Sequence, residues 1–330
     1  MRKIGLLFCA ALALASCKTT PPVTSPVKII LDTDCGPDYD DVGAIAFLHA
    51  MADSGKADIL AIVSSNKNEL VIPSIDVLNN YFGRPSLPLG APKGEGADMG
   101  AGQHWADSIV AKYPHLAKST SEAPDAVKVY RKILSSQSDK NVTIVTIGFL
   151  TNLAGLLKSG PDSISNLTGK ELVENKVSSL VCMAGWFPQG REFNIFIDSA
   201  VSKFVFENWP GKITFTGFEI GKNIKTGLKL INSPVTGSPV KDVFRISMAA
   251  SQEDRSGRMS WDETAVLIAV YGSEKFFDKV TGNIQVAENG SNTWLNDPSG
   301  NHSYVIFKKS PGEIADFIET RMMHNPQVKK

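Results

Sequence analysis

The chain has 330 residues, which is enough for one large α/β domain or two small ones. Its 34 basic residues balance its 34 acidic residues, and no basic cluster stands out. This composition argues against nucleic acid as a partner.

The first residues are typical of an export signal. The charged start Arg2-Lys3 precedes an apolar stretch, and small residues then lead to Cys17. The letters Leu14-Ala15-Ser16-Cys17 resemble the lipobox of bacterial lipoproteins, in which the cysteine is lipidated and becomes the new N-terminus. Because the apolar stretch is too short to span a bilayer comfortably, the resemblance implies a lipid anchor.

This start sets the expected domain organisation. We expect a signal peptide over residues 1–17, a flexible tether rich in Thr, Ser and Pro over 18–27, and a single domain over 28–330. The lipid would hold the domain at a bacterial cell-envelope membrane, on its extracytoplasmic side, facing the periplasm or the cell exterior.

The stretch after the tether predicts a buried strand, an acidic loop and a helix. An apolar run starts at Val27, and apolar residues at helical spacing follow the loop. Between them lie five aspartates: Asp32, Asp34, Asp38, Asp40 and Asp41. Such like charges repel each other unless a cation lies among them, and hard oxygen ligands favour calcium or magnesium. The alternative is a solvated turn in which Asp40 or Asp41 caps the helix.

Two known motifs are similar to the acidic loop: the calcium-binding loop of EF-hand proteins and the Asp-x-Asp motif of aspartyl-phosphate phosphatases. The calcium loop of EF-hand proteins needs Gly at its sixth position and Glu at its twelfth; counting from Asp32, these places hold Pro37 and Gly43. The EF-hand interpretation therefore fails. The aspartyl-phosphate phosphatases also begin with an apolar strand and Asp-x-Asp, so a phosphatase with Asp32 as nucleophile stays open at this point.

The rest of the chain alternates strands and helices. Periodicity predicts strands over 57–64, 141–147, 177–184 and 212–218, and helices over 72–82, 124–134, 199–207, 240–250 and 314–323. Residues 219–225 are predicted to form a turn, and 276–307 strands and turns. The pattern indicates an α/β fold: one domain with a mostly parallel, Rossmann-like open sheet flanked by helices, with a short antiparallel extension.

Several polar residues stand just behind predicted strands. Asn66 follows the second strand, and Glu192 and Asn194 follow the strand over 177–184. Because ligands of open α/β sheets bind at this edge, the three are candidate site residues. The alternative for the stretch after residue 189 is an ordinary alternating edge strand. Asp262 opens an apolar helix, where its alternative role is N-capping.

Two cysteines remain in the expected domain, Cys35 and Cys182. Both lie in apolar, strand-like surroundings and are expected to be small core residues. A disulfide between them is the alternative, because an exported protein meets an oxidising environment.

Four stretches of the chain together resemble the inosine-uridine preferring nucleoside hydrolases. That family shares an Asp-x-Asp-x-Gly-x-Asp-Asp loop, a Gly-x-Leu-Thr-Asn-Ile/Leu-Ala turn, a Glu-x-Asn-x-x-x-Asp stretch and a late Asp before an apolar helix. The matching positions are Asp32 to Gly36 with Asp40-Asp41, residues 148–154, Glu192 to Asp198, and Asp262. Four motifs in the right order are far more specific than any one of them.

The resemblance implies a calcium site. The ligands would be Asp34, Asp41, Asp262 and the backbone carbonyl oxygen of Ile147. The ion would hold the attacking water and the ribose diol, and Asp34 would be the general base that removes a proton from this water. Because the loop is two residues longer than the usual family form, Asp38 and Asp40 remain alternative ligands.

The resemblance also assigns groups that bind the sugar and the base. Asn66, Glu192 and Asn194 match positions that hydrogen-bond the ribose hydroxyls, and Asp40 would contact the diol. Such contacts matter because the transition state is oxocarbenium-like. Trp261 stands where many members have a histidine that protonates the leaving base, and it would stack on the base instead.

The remaining aromatic and histidine residues leave the base site open. The family's His-Gly stretch has no clear match, and His104 is its candidate here; the loop from Gly90 to Trp105, which leads to it, could supply an acid. Trp186 and Phe187, like Trp261, are either core residues or platforms for the base.

The resemblance therefore implies a calcium-dependent hydrolase of the N-glycosidic bond of ribonucleosides, which releases free base and ribose. A nucleoside-binding or ribosyl-binding lipoprotein without turnover is the main alternative, because the histidine is missing. The aspartyl-phosphate phosphatase is the third hypothesis. A homo-oligomer also remains open, since oligomers are common among relatives of this kind.

Overall fold

The computed structural model describes residues 25–326. The expected signal peptide with Cys17, and the expected tether up to residue 24, lie outside these residues. Val27, the last residue of the expected tether, is already the first residue of the first strand. Within 25–326 no helix combines the length and the apolar character that a membrane span requires.

Most strands of the described chain belong to one ten-stranded sheet. In sheet order its members are β3 (Leu89–Gly90), β2 (Ala57–Ser64), β1 (Val27–Thr33), β4 (Val142–Thr146), β5 (Val177–Met183), β7 (Ile213–Thr216), β12 (His302–Phe307), β10 (Phe277–Val286), β11 (Ser291–Asn296) and β6 (Gln189–Arg191). A separate two-stranded sheet pairs β8 (Lys225–Thr226) with β9 (Arg258–Met259).

The direction of the strands divides the large sheet into two parts. From β3 to β12 all neighbouring strands are parallel, whereas β12, β10, β11 and β6 pair antiparallel. The expected fold class is thus confirmed: a single α/β domain with a mostly parallel sheet and an antiparallel extension.

Helices cover both faces of the sheet. They are α1 (Asp40–Asp53), α2 (Val71–Tyr81), α3 (Trp105–Lys112), α4 (Ala126–Ser135), α5 (Thr151–Lys158), α6 (Gly169–Lys176), α7 (Phe193–Ile197), α8 (Ser199–Asn208), α9 (Phe218–Gly221), α10 (Leu228–Asn232), α11 (Pro239–Ala250), α12 (Trp261–Tyr271) and α13 (Pro311–Met322), with a short 3-10 helix at Glu253–Ser256.

The strand β1 shows why its apolar run is continuous. Ile29 and Leu31 pack into the core that contains α1 and α12, while Ile30 points to the opposite core with α4 and α5. Because successive side chains alternate between faces and both faces are covered, the middle of a central strand is apolar. The first acid, Asp32, is the last residue but one of β1.

Two predicted stretches have a different structure. Of the alternating edge strand considered as the alternative after residue 189, only residues 189–191 form a strand, β6, and the helix α7 follows, with Glu192 as its N-cap. The predicted strand over 212–218 ends at Thr216, and the expected turn after it contains α9 and β8. Helices of four or five residues are too short to display a 3.6-residue period, so periodicity does not indicate them.

Candidate metal centre

The acidic loop lies where β1, β2 and β4 end side by side. The loop after β4 comes so close that a Cβ on Gly148 would lie 2.5 Å from the backbone nitrogen of Asp34 and 2.7 Å from Ser65 Oγ. Gly148 is therefore required to bring these strand ends together. Across the same junction, the backbone N–H of Phe149 donates to Ser65 Oγ at 3.0 Å.

Asp32 lies beneath the site and is fully buried. Its carboxylate accepts a hydrogen bond from Tyr130 Oη at 2.9 Å and two from Asn152 Nδ2 at 3.2 Å. Burial raises the pKa of Asp32 to about 7, while these donors act in the opposite direction. A side chain that is enclosed and fully hydrogen-bonded in this way supports the loop and does not suit a phosphatase nucleophile, which must reach its substrate.

Asp34 and Asp41 are buried, and no cationic side chain of residues 25–326 is paired with them. The Oδ1 atom of Asp41 accepts from the Thr33 hydroxyl and from the backbone N–H of Cys35, at 3.1 Å for the latter, whereas its Oδ2 has no hydrogen-bond partner. Burial, and then the charge of Asp40, raise the pKa of Asp41 to about 6. Burial and the neighbouring charge of Asp41 also raise the pKa of Asp34 well above its usual value.

Three further carboxylates converge beside this pair. Oxygen atoms of Asp38, Asp40 and Asp262 lie within 4.8 Å of one another. Burial and the charges of the other loop aspartates raise the pKa of Asp262 well above its usual value. In the part of the chain that the structure describes, the acidic groups are thus arranged so that a cation would stabilise their ionised forms.

Arg258, which the sequence did not single out, contacts the same group of acids. Its Nη2 atom lies 2.6 Å from Asp38 Oδ2 and 2.5 Å from Asp40 Oδ1, and its Nε donates to Asp40 Oδ1 at 3.1 Å. The guanidinium is largely buried between the rings of Tyr39 and Trp261, 4.7 and 5.2 Å from their centroids. The sequence held only one hint of this contact: the loop has five aspartates and no basic residue, so a compensating positive charge has to come from another part of the chain.

Asp40 also connects the loop to α12. Its Oδ2 accepts from the backbone N–H groups of Trp261 at 3.1 Å and Asp262 at 3.3 Å. The first backbone N–H groups of α12 have no acceptor within the helix, and the Asp40 carboxylate accepts their hydrogen bonds. Asp40 precedes Trp261 by 221 residues. The alternatives in which Asp262 caps α12, or Asp40 or Asp41 caps α1, are wrong, because the N-caps are Ser260 and Tyr39.

The helices α1 and α12 lie in close contact near the site. A Cβ on Gly43 would come within 2.2 Å of Glu263 Oε1, so a side chain there would have to displace the Glu263 carboxyl group. Glu263 is fully buried, and neither of its carboxyl oxygens has a hydrogen-bond partner. Burial raises its pKa well above the usual value, which favours the neutral form. This contact fixes the distance between the helices that carry Asp41 and Asp262.

Asn66 follows β2 and binds two segments of backbone. Its Nδ2 donates to the carbonyl oxygens of Asp34 at 2.8 Å and Met99 at 2.7 Å, and its Oδ1 accepts from the N–H of Met99 at 3.0 Å. The side chain therefore holds the glycine-rich loop over the acidic loop.

Glu192 and Asn194 face the site from the start of α7. Glu192 accepts backbone N–H bonds from Asn194 at 2.8 Å and Gly185 at 3.0 Å, and burial raises its pKa to about 7. Asn194 Nδ2 donates to the carbonyl oxygens of Met183 at 3.1 Å and Ile147 at 3.4 Å. The predicted carbonyl ligand of Ile147 thus lies beside the predicted ribose-binding side chains.

An aromatic row, formed by Trp186, Phe218 and Trp261, extends from the acidic cluster to the surface. The Phe218 ring lies 5.2 Å from Trp261 and 4.6 Å from Trp186 by their centroids, and Trp261 Nε1 donates to the carbonyl oxygen of Phe218 at 2.8 Å. Trp186 is exposed, whereas Phe187 is buried and stacks on Tyr304 at 4.8 Å. Phe187 is therefore a core residue.

The other candidates lie outside this arrangement. His104 is exposed at the N-cap of α3, and its nearest partner is Asp107 at 3.3 Å. Cys35 and Cys182 are both buried and free, as expected for small core residues, and form no disulfide.

The donor set fits a hard divalent cation. It consists of carboxylate oxygens, with a backbone carbonyl at the neighbouring strand end, and includes one buried carboxylate oxygen without any partner, Asp41 Oδ2. No histidine lies in the acidic cluster of the described residues, so a zinc-like ligand set is not formed there.

The same chain matches known proteins over most of its length. A family model described as inosine-uridine preferring nucleoside hydrolase matches residues 29–298. The inosine-uridine preferring nucleoside hydrolase of Leishmania major is 27% identical over 206 residues, which are 59% of this chain and 61% of the relative. The pyrimidine-specific ribonucleoside hydrolase RihA of Citrobacter koseri is 31% identical over 191 residues, 53% of this chain and 55% of the relative. The chain thus matches less than two thirds of the length of these curated relatives.

The fold is also similar to that of a solved structure. A purine-preferring ribonucleoside hydrolase from Gardnerella vaginalis has a TM-score of 0.73 at 18% identity, with 91% of this chain and 99% of that chain covered. At this identity the similarity concerns the fold.

Proposed function

Because the chain belongs to the inosine-uridine preferring nucleoside hydrolase family, we propose that it hydrolyses the N-glycosidic bond of ribonucleosides and releases free base and ribose. The observation that supports this most directly is the buried, unpartnered Asp41 Oδ2 in a group of aspartates at the carboxyl end of the sheet. An oxygen in this state lacks a positive partner that a bound cation would provide.

We infer that calcium is this cation. Asp34, Asp41 and Asp262 would hold it, together with the carbonyl oxygen of Ile147. When bound, the ion would orient water and the vicinal ribose hydroxyls and neutralise part of the negative charge of the cluster. The choice of Asp41 over Asp38 and Asp40 follows from their partners, since Asp38 and Asp40 already pair with Arg258.

The chain's own residues would divide the chemistry between them. Asp34 would take the proton from the attacking water as the anomeric carbon becomes cationic. Asn66, Glu192, Asn194 and Asp40 would bind the sugar hydroxyls. In the present structure these side chains hydrogen-bond backbone groups, which orients them before the substrate arrives.

The leaving base would lie on the aromatic row. Trp261 is half-buried at the inner end of the row, next to the acidic cluster, and its indole is fixed by the hydrogen bond to Phe218. Stacking there would favour any planar heterocycle, because every base has a π-face. It would not distinguish bases by the hydrogen-bonding groups on their edges. The row itself provides no acid, so departure of the base would depend on stabilisation of the cationic sugar.

The experiment is chromatographic detection of free base and free ribose after incubation of the protein with a panel of nucleosides, with and without a chelator. We expect release that the chelator abolishes and calcium restores. If calcium binds but no nucleoside yields free base, the hydrolase proposal is wrong and a nucleoside-binding role, the alternative that Trp261 in place of a histidine favours, takes its place.

We also propose that the mature chain begins at Cys17 and is lipid-anchored on the extracytoplasmic side of a cell-envelope membrane. The lipobox letters support this proposal. Mass spectrometry of the mature N-terminus tests it, and a Cys17→Ala chain is expected to keep its signal peptide and carry no lipid. A processed, unlipidated wild-type chain would contradict the anchor.

A further inference from the structure

We propose that the guanidinium of Arg258 occupies the position of a second cation in this acidic cluster, so that the chain binds one divalent ion instead of two. The inference rests on the function proposed above for the choice of ion, but its test counts bound ions and does not depend on turnover.

The cluster has more carboxylates than one ion requires. Asp38, Asp40 and Asp262 bring oxygens within 4.8 Å of one another, a spacing that would itself suit a cation. Asp34 and Asp41, whose Oδ2 has no hydrogen-bond partner among the described residues, do not belong to this trio. The ligands proposed above for calcium therefore have only Asp262 in common with it.

Arg258 takes up only one of these groups. The same nitrogen, Nη2, lies 2.6 Å from Asp38 and 2.5 Å from Asp40, and a metal ion bound to the same oxygens would be repelled by this permanent charge at very short range. No such contact from Arg258 reaches Asp34 or Asp41 among the ion pairs of the described residues. The second group is thus left for the metal.

The surroundings keep Arg258 in this place. Its guanidinium lies between the rings of Tyr39 and Trp261, and Tyr39 in turn donates a hydrogen bond from its hydroxyl to Asp254 at 2.8 Å. Asp254 also lies 4.0 Å from Arg258. Asp38 and Tyr39 are neighbours in the acidic loop, so this loop supplies both an acid and a ring to Arg258.

The test counts calcium ions by isothermal titration calorimetry on metal-free protein. We expect one ion per wild-type chain. In Arg258→Met, which removes the charge but retains an apolar side chain, we expect two ions per chain. In the double variant Arg258→Met with Asp38→Asn we expect one again, because the second group then lacks a ligand.

Arg131→Met is the matched control. Arg131 is also buried and paired, with Nε and Nη2 each 2.9 Å from Asp162, but it lies outside the acidic cluster. This variant should lose stability and still bind one ion. A second ion in Arg131→Met would show that the count responds to any loss of positive charge, and would overturn the inference.

Two further results would also overturn it: two ions per wild-type chain, or one ion in Arg258→Met. Arg258→Met could fail to fold without metal. Calcium is then expected to restore its far-ultraviolet circular dichroism, because the second ion replaces the guanidinium. A chain that stays unfolded at saturating calcium counts against the inference. A chain that shows these ion counts but releases no base would instead contradict only the hydrolase proposal.

Discussion

The two sides of the acidic loop solve the same electrostatic problem differently. On one side, Asp38 and Asp40 are paired with Arg258, and Asp40 also accepts from the start of α12, so the protein itself compensates part of their charge. On the other side, Asp34 and Asp41 have no cationic partner among the described residues. The difference indicates which carboxylates stabilise the fold and which ones keep a binding capacity at the expense of stability.

The largest effect is expected for Asp34→Ala, on the side without a cation. The variant loses both a metal ligand and the proposed base, so kcat/KM should fall on the order of 10³-fold or more, and calcium affinity should fall with it. Steady-state release of free base measures kcat/KM, and calorimetry with calcium measures the affinity. Near-normal turnover would mean that Asp34 is not the base.

The next largest effect is expected on calcium affinity, and it should differ between Asp41 and Asp38. Asp41→Asn should lower calcium affinity by about 100-fold or more, because it removes a direct ligand and losses of merely supporting groups already cost roughly 10- to 100-fold. Asp38→Asn, its control on the Arg258 side, should change the affinity by less than about threefold. Isothermal titration calorimetry with calcium measures the affinity of both variants. If both lose calcium affinity equally, the proposal that only Asp41 is a ligand is wrong.

A smaller effect is expected from pH. In metal-free protein the pKa values of Asp41, about 6, and Glu192, about 7, lie above the ordinary values near 3.8 and 4.5, so the folded state holds protons that the unfolded state releases. This stabilisation is complete below the unfolded values and is lost as pH rises through the folded ones. Bound calcium competes with the proton on Asp41, a proposed ligand, so the rise in Tm on adding calcium should be larger at about pH 7.5 than at about pH 5. Thermal melting with chelator or calcium tests it, and a pH-independent rise would contradict it.

The smallest effect on the metal is expected for Trp261→Phe, at a residue that contacts Asp40 and Arg258. The ring remains, but the hydrogen bond from the indole to Phe218 is lost. We expect the ratio of kcat/KM between purine and pyrimidine nucleosides to change by roughly five- to tenfold, within the range of stacking energies, and calcium affinity to stay unchanged. A loss of calcium binding would mean that Trp261 acts on the metal centre through Asp40, whose oxygen it contacts.

Much of the framework could be predicted from the sequence because it depends on local patterns. The strand β2 occupies the predicted residues 57–64, and β1 is followed by the acidic loop and a helix as expected. Continuous apolar runs identify buried parallel strands, and the acids that end them identify the ligand-binding edge.

The contacts inside the site could not be predicted in the same way. Asp40 and Arg258 are 218 residues apart, and nothing in the letters around Arg258 indicates that it faces the loop. Asn66 is expected at the sugar, which stays a prediction; what the structure shows is that Asn66 holds Met99 and Asp34 in place. Such pairings are set by the tertiary fold, which periodicity does not encode. The role of each predicted ligand at a bound substrate stays a prediction.

The capping of α12 by Asp40 has a consequence for when the site forms. The two partners are 221 residues apart along the chain, and Asp262 follows directly after the first of the capped backbone groups. A growing polypeptide would therefore have no complete ion site until nearly four fifths of its length had been synthesised, although the acidic loop itself would be among the first parts to emerge. Nascent chains and C-terminally truncated fragments should accordingly be unable to capture the ion, and ion binding should report the completed fold.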